Sequence, residues 1–460
     1  MENKPSLQTS RQWFGTDGMR GTIGVSPMTP DIILKVAHAA GRYFAAQAVA
    51  AGDTAKPTVV IGKDTRISGY MLEALLEAGF TSAGVDVLLV GPMPTPAIAQ
   101  MTRALRLTAG VVISASHNPY HDNGIKFFAA GGKKLPDAAE LEIEQLAQAG
   151  IQCVPSKQLG KARRVNDAEG RYIEFCKSTM PQDFNLKGMN LVVDCAHGAA
   201  YKVAKPILHE LGANVHLMGH APNGININDE VGATHPKALR AAVLEHAADY
   251  GIALDGDADR LVMIDHTGRS YDGDELLFAV VKHAHSVKPV AGVVGTLMTN
   301  MAFEKAMAAM GIPFFRAAVG DRYILEQLHA RGWLFGGENS GHILTLGCHT
   351  TGDGMVSALH VLQAIKSSGQ TLADYIAEMK LYPQILINVR LNAGSNAKAI
   401  LVSAEVIAAQ KSAEVALGDT GRVLLRASGT EPLLRVMVEA QNRVTAQTQA
   451  EMIADIVKKY

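Results

Sequence analysis

The stretch Val111-Val-Ile-Ser-Ala-Ser-His-Asn-Pro-Tyr-His-Asp-Asn-Gly-Ile-Lys-Phe-Phe128 reads as a buried strand that stops abruptly. Its apolar start runs into two serines, then into a turn rich in Ser, Asn, Asp, Gly and Pro, where backbone and side chains can face a ligand. Ser116 stands at the strand's exit beside His117 and Asn118, and Lys126 follows as a candidate proton carrier. Working outward, the same strand-then-loop pattern recurs. Thr58–Gly62 reads as a strand, followed by a turn over Lys63–Gly69 and a helix from about Tyr70. Val85–Val90 runs into Gly91-Pro-Met-Pro-Thr-Pro96, and Leu191–Asp194, Gly251–Asp255 and Val293–Gly295 repeat the theme. Such strands, separated by helical stretches, predict βαβ units with largely parallel sheets, whose ligands bind at the strands' carboxyl ends. After Gln384 the pattern changes. Val423–Arg426 and Leu434–Val438 alternate and a terminal helix follows, the signature of a smaller α+β unit.

At 460 residues the chain predicts two to four domains. With 48% hydrophobic and 19% charged residues it has the profile of a soluble globular protein. The net charge of −1 is spread without a basic stripe, which argues against nucleic-acid binding. No apolar run reaches a membrane span, and Met1–Ser10 is polar, unlike a signal peptide. Cys153, Cys176, Cys195 and Cys348 form no CxxC pair, so reduced thiols in a cytoplasmic protein are expected.

Each candidate site has competing explanations. Ser116 lacks the Gly-x-Ser-x-Gly of a hydrolase elbow, since Ala115 and His117 flank it. Adjacent side chains are not expected to point at each other, which counts against His117 as base for its neighbour. Leu254-Asp-Gly-Asp-Ala-Asp-Arg260 puts Asp255, Asp257 and Asp259 on alternate positions after a strand. Arg260 and His266 occupy the places where an EF-hand needs Gly and Glu. Three carboxylates so placed repel unless a cation neutralises them, and a hard ion such as Mg²⁺ suits them. Gly336-Gly-Glu-Asn-Ser-Gly-His342 taken alone is a tight turn, and Arg426-Ala-Ser-Gly-Thr-Glu-Pro-Leu-Leu-Arg435 alone is a hairpin. Backbone N–H groups near Gly429, the hydroxyls of Ser428 and Thr430, and Arg426 or Arg435 could also cradle a phosphate. No Walker A, GxGxxG or HExxH sequence is present.

In this order the four loops resemble the α-D-phosphohexomutase superfamily over nearly the whole chain. So do Phe14-Gly-Thr-Asp-Gly-Met-Arg-Gly21 and Lys63-Asp-Thr-Arg-Ile-Ser-Gly69, whose Asp and Arg could also form a structural ion pair. The resemblance implies three consecutive α/β domains with mixed or parallel sheets and a smaller C-terminal α+β domain around a central cleft. They are placed at 1–164, 165–267, 268–380 and 381–460. It implies that Ser116 carries a phosphoryl group whose oxygen joins Asp255, Asp257 and Asp259 on Mg²⁺. Arg20 then lies beside the phosphoserine, with His117 and Arg260 close by. Lys126 shuttles a proton, with a pKa lowered by neighbouring cations. Glu338 and Ser340 bind ring hydroxyls, His342 lies near the reacting oxygen, and Arg426, Ser428, Gly429, Thr430 and Arg435 hold the idle phosphate.

Ala258 departs from the glycine of many relatives. Asn339 stands where glucose and mannose enzymes commonly have Met, while glucosamine enzymes favour Gln or Asn. Asn223–Pro236 resembles a segment of glucosamine enzymes, with Val231-Gly-Ala233 in place of their Cys-Gly-Ser. The implied activity is an isomerase that moves phosphate between O6 and O1 of glucosamine through a sugar 1,6-bisphosphate. It would feed amino-sugar nucleotide and cell-wall precursor synthesis. Glucose or mannose phosphate as substrate, or a catalytically silent sugar-phosphate-binding protein, are the alternatives. A monomer or homodimer is expected, with hinge motion of the last domain.

Overall fold

The computed structural model describes residues 11–15, 17–392, 396–427 and 433–460. Four sheets follow one another along the chain. In the first, Ala109–Ile113, Thr58–Lys63, Asp86–Pro92 and Ala162–Arg164 run parallel. Asp122–Ala129 returns antiparallel beside Ala109–Ile113, and Met19–Thr22 lies antiparallel outside it. Alternation along these strands sorts their side chains to two faces. Val59, Ile61, Val111, Ile113, Ile125 and Phe127 pack against residues of the helices Pro30–Ala50, Ser68–Ser82 and Asp137–Gln148. Val60, Val112 and Phe128 face the other way, into a core that continues through the second and third sheets.

The second sheet sets Tyr250–Leu254 parallel to Asn190–Asp194 and antiparallel to Leu261–Asp265. In the third, Val293–Thr296 is parallel to Phe335–Gly337, which is antiparallel to Ile343–Thr345. The three chemically suggestive loops therefore occupy one topological position. Each joins a strand lying parallel to a sheet neighbour to an antiparallel partner: Ile113↔Ile125, Leu254↔Leu261 and Gly337↔Ile343 face each other across the loop mouths. The sequence pattern marked the parallel strands at Thr58, Val85, Leu191, Gly251 and Val293 but not these antiparallel returns. The sheets are mixed, within what the resemblance implied and not largely parallel as the pattern alone suggested. The fourth sheet is antiparallel throughout, Gln384–Arg390 and Gly421–Ala427 flanking Leu433–Ala440. It has its own core with the helices Ala404–Leu417 and Arg443–Val457.

All four cysteines are unpaired; Cys176 and Cys195 are buried and Cys153 is exposed. Among the described residues no helix is long and apolar enough to cross a membrane.

Candidate active site

Ser116 leaves its strand in a left-handed conformation, φ 50°, which turns its hydroxyl out of the sheet. The loop is held open by Arg66, a fully buried guanidinium. It donates to the carbonyls of Ser116 (2.9 Å) and Asn118 (2.8 Å), and to those of Asp122 (3.1 Å) and Pro119. Its Nε is 2.8 Å from Asp64 Oδ2, so the structural ion pair exists and does more than pair. Asn228, from the Asn223–Pro236 segment, donates to the same Ser116 and Asn118 carbonyls at 2.9 and 3.2 Å. A Cβ at Gly256 would come 2.6 Å from the Ser116 carbonyl, which is why the acidic loop can lie so close.

The two serines part ways, and not by strand alternation, which would put positions two apart on one face. The strand ends at Ile113. Ser114 donates to Asp64 at 2.7 Å and accepts the Ser116 N–H at 2.9 Å. Ser116 Oγ instead donates to Asp255 Oδ2 at 2.6 Å. Contrary to the sequence argument, His117 does face its neighbour, Nδ1 lying 3.3 Å from Ser116 Oγ. Burial, then Arg260 and Arg20, push this imidazole down to about 4, so it is neutral at physiological pH.

Asp255, Asp257 and Asp259 are buried, and one carboxylate oxygen of each lies within 4.8 Å of the others. Burial, then the charges of Asp259 and Asp257, push Asp255 up to about 8. Asp257 Oδ1 and Asp259 Oδ1 are buried without a hydrogen-bond partner among the described residues. Orphaned hard oxygens that repel one another are what a divalent cation satisfies, so these residues fit one. Ala258, between Asp257 and Asp259, adopts φ 60°, a strain of about 1–2 kcal/mol for a residue with a Cβ. The first domain reaches into this loop: Thr95 donates its hydroxyl to Asp257 Oδ2 at 2.7 Å and its N–H to the Asp257 carbonyl at 3.0 Å.

Lys126 overturns one expectation. Its Nζ lies 3.0 Å from Asp17, 3.2 Å from Asp257 and 4.0 Å from Asp259. Burial would lower its pKa, but these carboxylates outweigh burial and the nearby Arg20 and hold it well above the ordinary lysine range. Anions surround it where cations were anticipated. His342 sits between two carboxylates, Nδ1 3.6 Å from Asp259 and Nε2 3.5 Å from Asp321, at ion-pair rather than hydrogen-bond distance. Burial works against its charge, yet Asp259 and Asp321 raise it to about 9. Glu338 Oε1 accepts the Gly320 N–H at 3.0 Å, and Ser340 Oγ is buried without a hydrogen-bond partner among the described residues.

A cleft of about 160 Å³ brings together Ser116, Lys126, Arg20, Asp259 and Arg260 with Glu338 and His342. Asp17 and Gly320–Tyr323 complete its wall. Asp17 lies inside a quoted motif without having been singled out, and Asp321 and Arg322 had no signal in the motifs. Asn339 is half-buried, and neither it nor Ser340 lines this cleft. Arg426 and Arg435 also lie outside it, directly opposite one another in the last sheet. Burial and Arg435 lower the pKa of Arg426, and paired guanidiniums on one face favour an anion between them. Ser428, Gly429 and Thr430 fall outside the described residues.

Ser116, the carboxylate triad and the charged cleft thus meet at the mouths of three matching hairpins, the layout of a phosphohexomutase. The chain matches the phosphoglucomutase/phosphomannomutase family in each of its parts: alpha/beta/alpha domain I over residues 11–152, domain II over 170–268, domain III over 272–382, and the C-terminal domain over 386–456. It belongs to that family. Within the family it is 62% identical over 450 residues to the phosphoglucosamine mutase of Burkholderia thailandensis, covering 98% of this chain and 99% of that one. A phosphoglucomutase/phosphomannomutase family protein from the same organism shares the fold with a TM-score of 0.78, at 22% identity over 97% of both chains. N-acetylphosphoglucosamine mutase of Aspergillus fumigatus, solved with GlcNAc-6P and magnesium, superposes with a TM-score of 0.66. It is 17% identical and covers 98% of this chain and 96% of its own.

Proposed function

We propose that this isomerase interconverts glucosamine 6-phosphate and glucosamine 1-phosphate by way of a phosphoserine at Ser116. The observation that carries the chemistry is the Ser116 hydroxyl, seated 2.6 Å from Asp255 at the edge of a buried three-carboxylate cluster. The amino sugar rests on the 62% identical relative and on Asn339. Asp255, Asp257 and Asp259, with an oxygen on Ser116, would hold Mg²⁺, which when bound offsets charge on the phosphoryl oxygens.

Phosphorylated Ser116 passes its group to O1 of glucosamine 6-phosphate, giving the 1,6-bisphosphate. Lys126, held as an ammonium by Asp17 and Asp257, gives a proton to the departing Ser116 Oγ and recovers the one that the O1 hydroxyl loses. The bisphosphate turns over in the cleft, its O6 phosphoryl returns to Ser116, and glucosamine 1-phosphate leaves. Arg20 and Arg260 offset charge during transfer, His342 contributes a cation beside the reacting oxygen, and neutral His117 faces Ser116. Glu338, at the cleft wall, orients the sugar, and the loop Arg426–Arg435 with Ser428, Gly429 and Thr430 takes the idle phosphate. Most of the rate comes from positioning and charge compensation. Domain limits at 164, 267 and 380, a cytoplasmic setting and a monomer or homodimer belong to the same reading.

Intact-mass spectrometry before and after glucose or glucosamine 1,6-bisphosphate tests the phosphoserine, and uptake of one phosphoryl group is expected. Comparison of kcat/KM for glucosamine, glucose and mannose phosphates tests the substrate. Equal or better turnover of the other two would overturn the amino-sugar assignment and leave the phosphoserine standing.

A further inference from the structure

Six charged side chains close a ring at the cleft, and three of them, Asp17, Lys134 and Asp321, have no direct part in the chemistry above. Asp17 Oδ1 lies 2.7 Å from Lys134, and Lys134 pairs with Asp321. Asp321 faces His342 at 3.5 Å, and His342 faces Asp259 at 3.6 Å. Asp259 is 4.0 Å from Lys126, which returns to Asp17 Oδ2 at 3.0 Å. Anion and cation alternate the whole way round. Asp17, Lys126 and Lys134 come from the first domain, Asp259 from the metal loop, and Asp321 and His342 from the third domain.

We propose that Lys134 and Asp321 are positioning residues that latch the sugar loop to the nucleophile domain and so retain the bisphosphate while it turns over. This rests on the mutase reading given above. Each of the two side chains is only 16% exposed, so their attraction is little screened. Asp321 opens the helix Asp321–Arg331, and the residue before it, Gly320, gives its N–H to Glu338. The next residue, Arg322, pairs with Asp137 and, at 3.3 Å, with Glu140 of the first domain. The short segment 320–322 is therefore tied to the sugar loop on one side and to the first domain on the other. Lys134 also occupies one oxygen of Asp17 and leaves the other for Lys126. Losing Lys134 would loosen the sugar loop and the proton carrier together. A bisphosphate has to detach from Ser116, reorient and re-engage, and only a closed cleft prevents its escape at that stage.

The test is a single turnover of Ser116-phosphorylated enzyme with glucosamine 6-phosphate, measuring released 1,6-bisphosphate against glucosamine 1-phosphate. Lys134→Met and Asp321→Asn should each raise the bisphosphate fraction about tenfold, the double variant should be no worse than either, and Lys134→Arg should recover most of the retention. Denaturant midpoints measured alongside identify general destabilisation, which lowers the active fraction without changing that partition. An unchanged partition in both single variants, or strictly additive effects in the double, overturns the latch. Failure of the wild-type protein to transfer phosphate from Ser116 at all sinks the mutase reading instead, and the latch with it.

Discussion

At the scale of single residues, the site is legible wherever the chemistry needs a particular functional group. Ser116 and the aspartates at 255, 257 and 259 stand out because few structural needs put a serine and three alternate carboxylates at strand ends. Ser116→Ala should abolish phosphoryl uptake and nearly all mutase activity. It should leave the protein folded at a cost of about 1–3 kcal/mol, since buried Asp255 Oδ2 loses its 2.6 Å donor. Mass spectrometry and a denaturant titration check both halves, and phosphate found on Ser114 would redirect the assignment. What the sequence hid were the partners. Arg66 reads as half of a local ion pair, yet most of its work is on carbonyls about fifty residues away. Lys126 was expected among cations because its spatial neighbours Asp17 and Asp257 are distant in the chain. Ion pairs between separate loops leave no periodic trace.

At the scale of elements, apolar runs marked strands but not their direction. Asp122–Ala129 follows a turn rich in loop formers, and its apolar half is as compatible with a parallel crossover as with the antiparallel return observed. The segment Gly91–Pro96 read as a mere strand exit, whereas Thr95 at the start of its helix holds the side chain of Asp257 in the acidic loop of the next domain. Thr95→Val, nearly isosteric, should weaken magnesium binding about tenfold, and Thr95→Ser should restore it, as measured by calorimetry.

A second element-level device is His349. Its Nε2 lies 3.0 Å from the Pro96 carbonyl, and its Nδ1 accepts the Thr350 N–H at 2.7 Å, so the neutral ring satisfies both. Asp353 is 3.8 Å away, but an imidazolium would have to give up the Thr350 bond. Burial, then Arg103, push the pKa down to about 3. The unfolded chain, with an ordinary histidine, binds the proton first as pH falls. Stability is therefore full above about pH 6.5 and is lost progressively below it. Between pH 7 and 5 the loss should be about 2 kcal/mol, and His349→Gln should flatten that slope in denaturant titrations.

At the scale of the whole molecule, the first three sheets share one continuous apolar core, and the last sheet has its own. The contact between the last domain and the third is largely polar. Arg422 donates to the carbonyls of Leu297 at 2.8 Å and Thr299 at 2.7 Å and pairs with buried Glu439 at 2.9 Å. Gln384 reaches the Met298 carbonyl at 3.2 Å, and Asn300 reaches that of Tyr382 at 2.9 Å. Interfaces of this kind permit relative motion, because each bond lost can be exchanged for one to water. A three-domain body carrying Ser116 and the carboxylate cluster, with a separately packed last domain, suits the proposed reversal of a bisphosphate within the cleft. Arg422→Met should leave Glu439 buried with fewer partners and loosen this seam. The apparent KM for sugar phosphate should rise about tenfold and small-angle scattering should show a wider particle. Magnesium affinity should not move, since the carboxylate cluster belongs to the other core. A fall in magnesium affinity equal to the change in KM would mean that the last domain is coupled into the catalytic body and does not move independently of it.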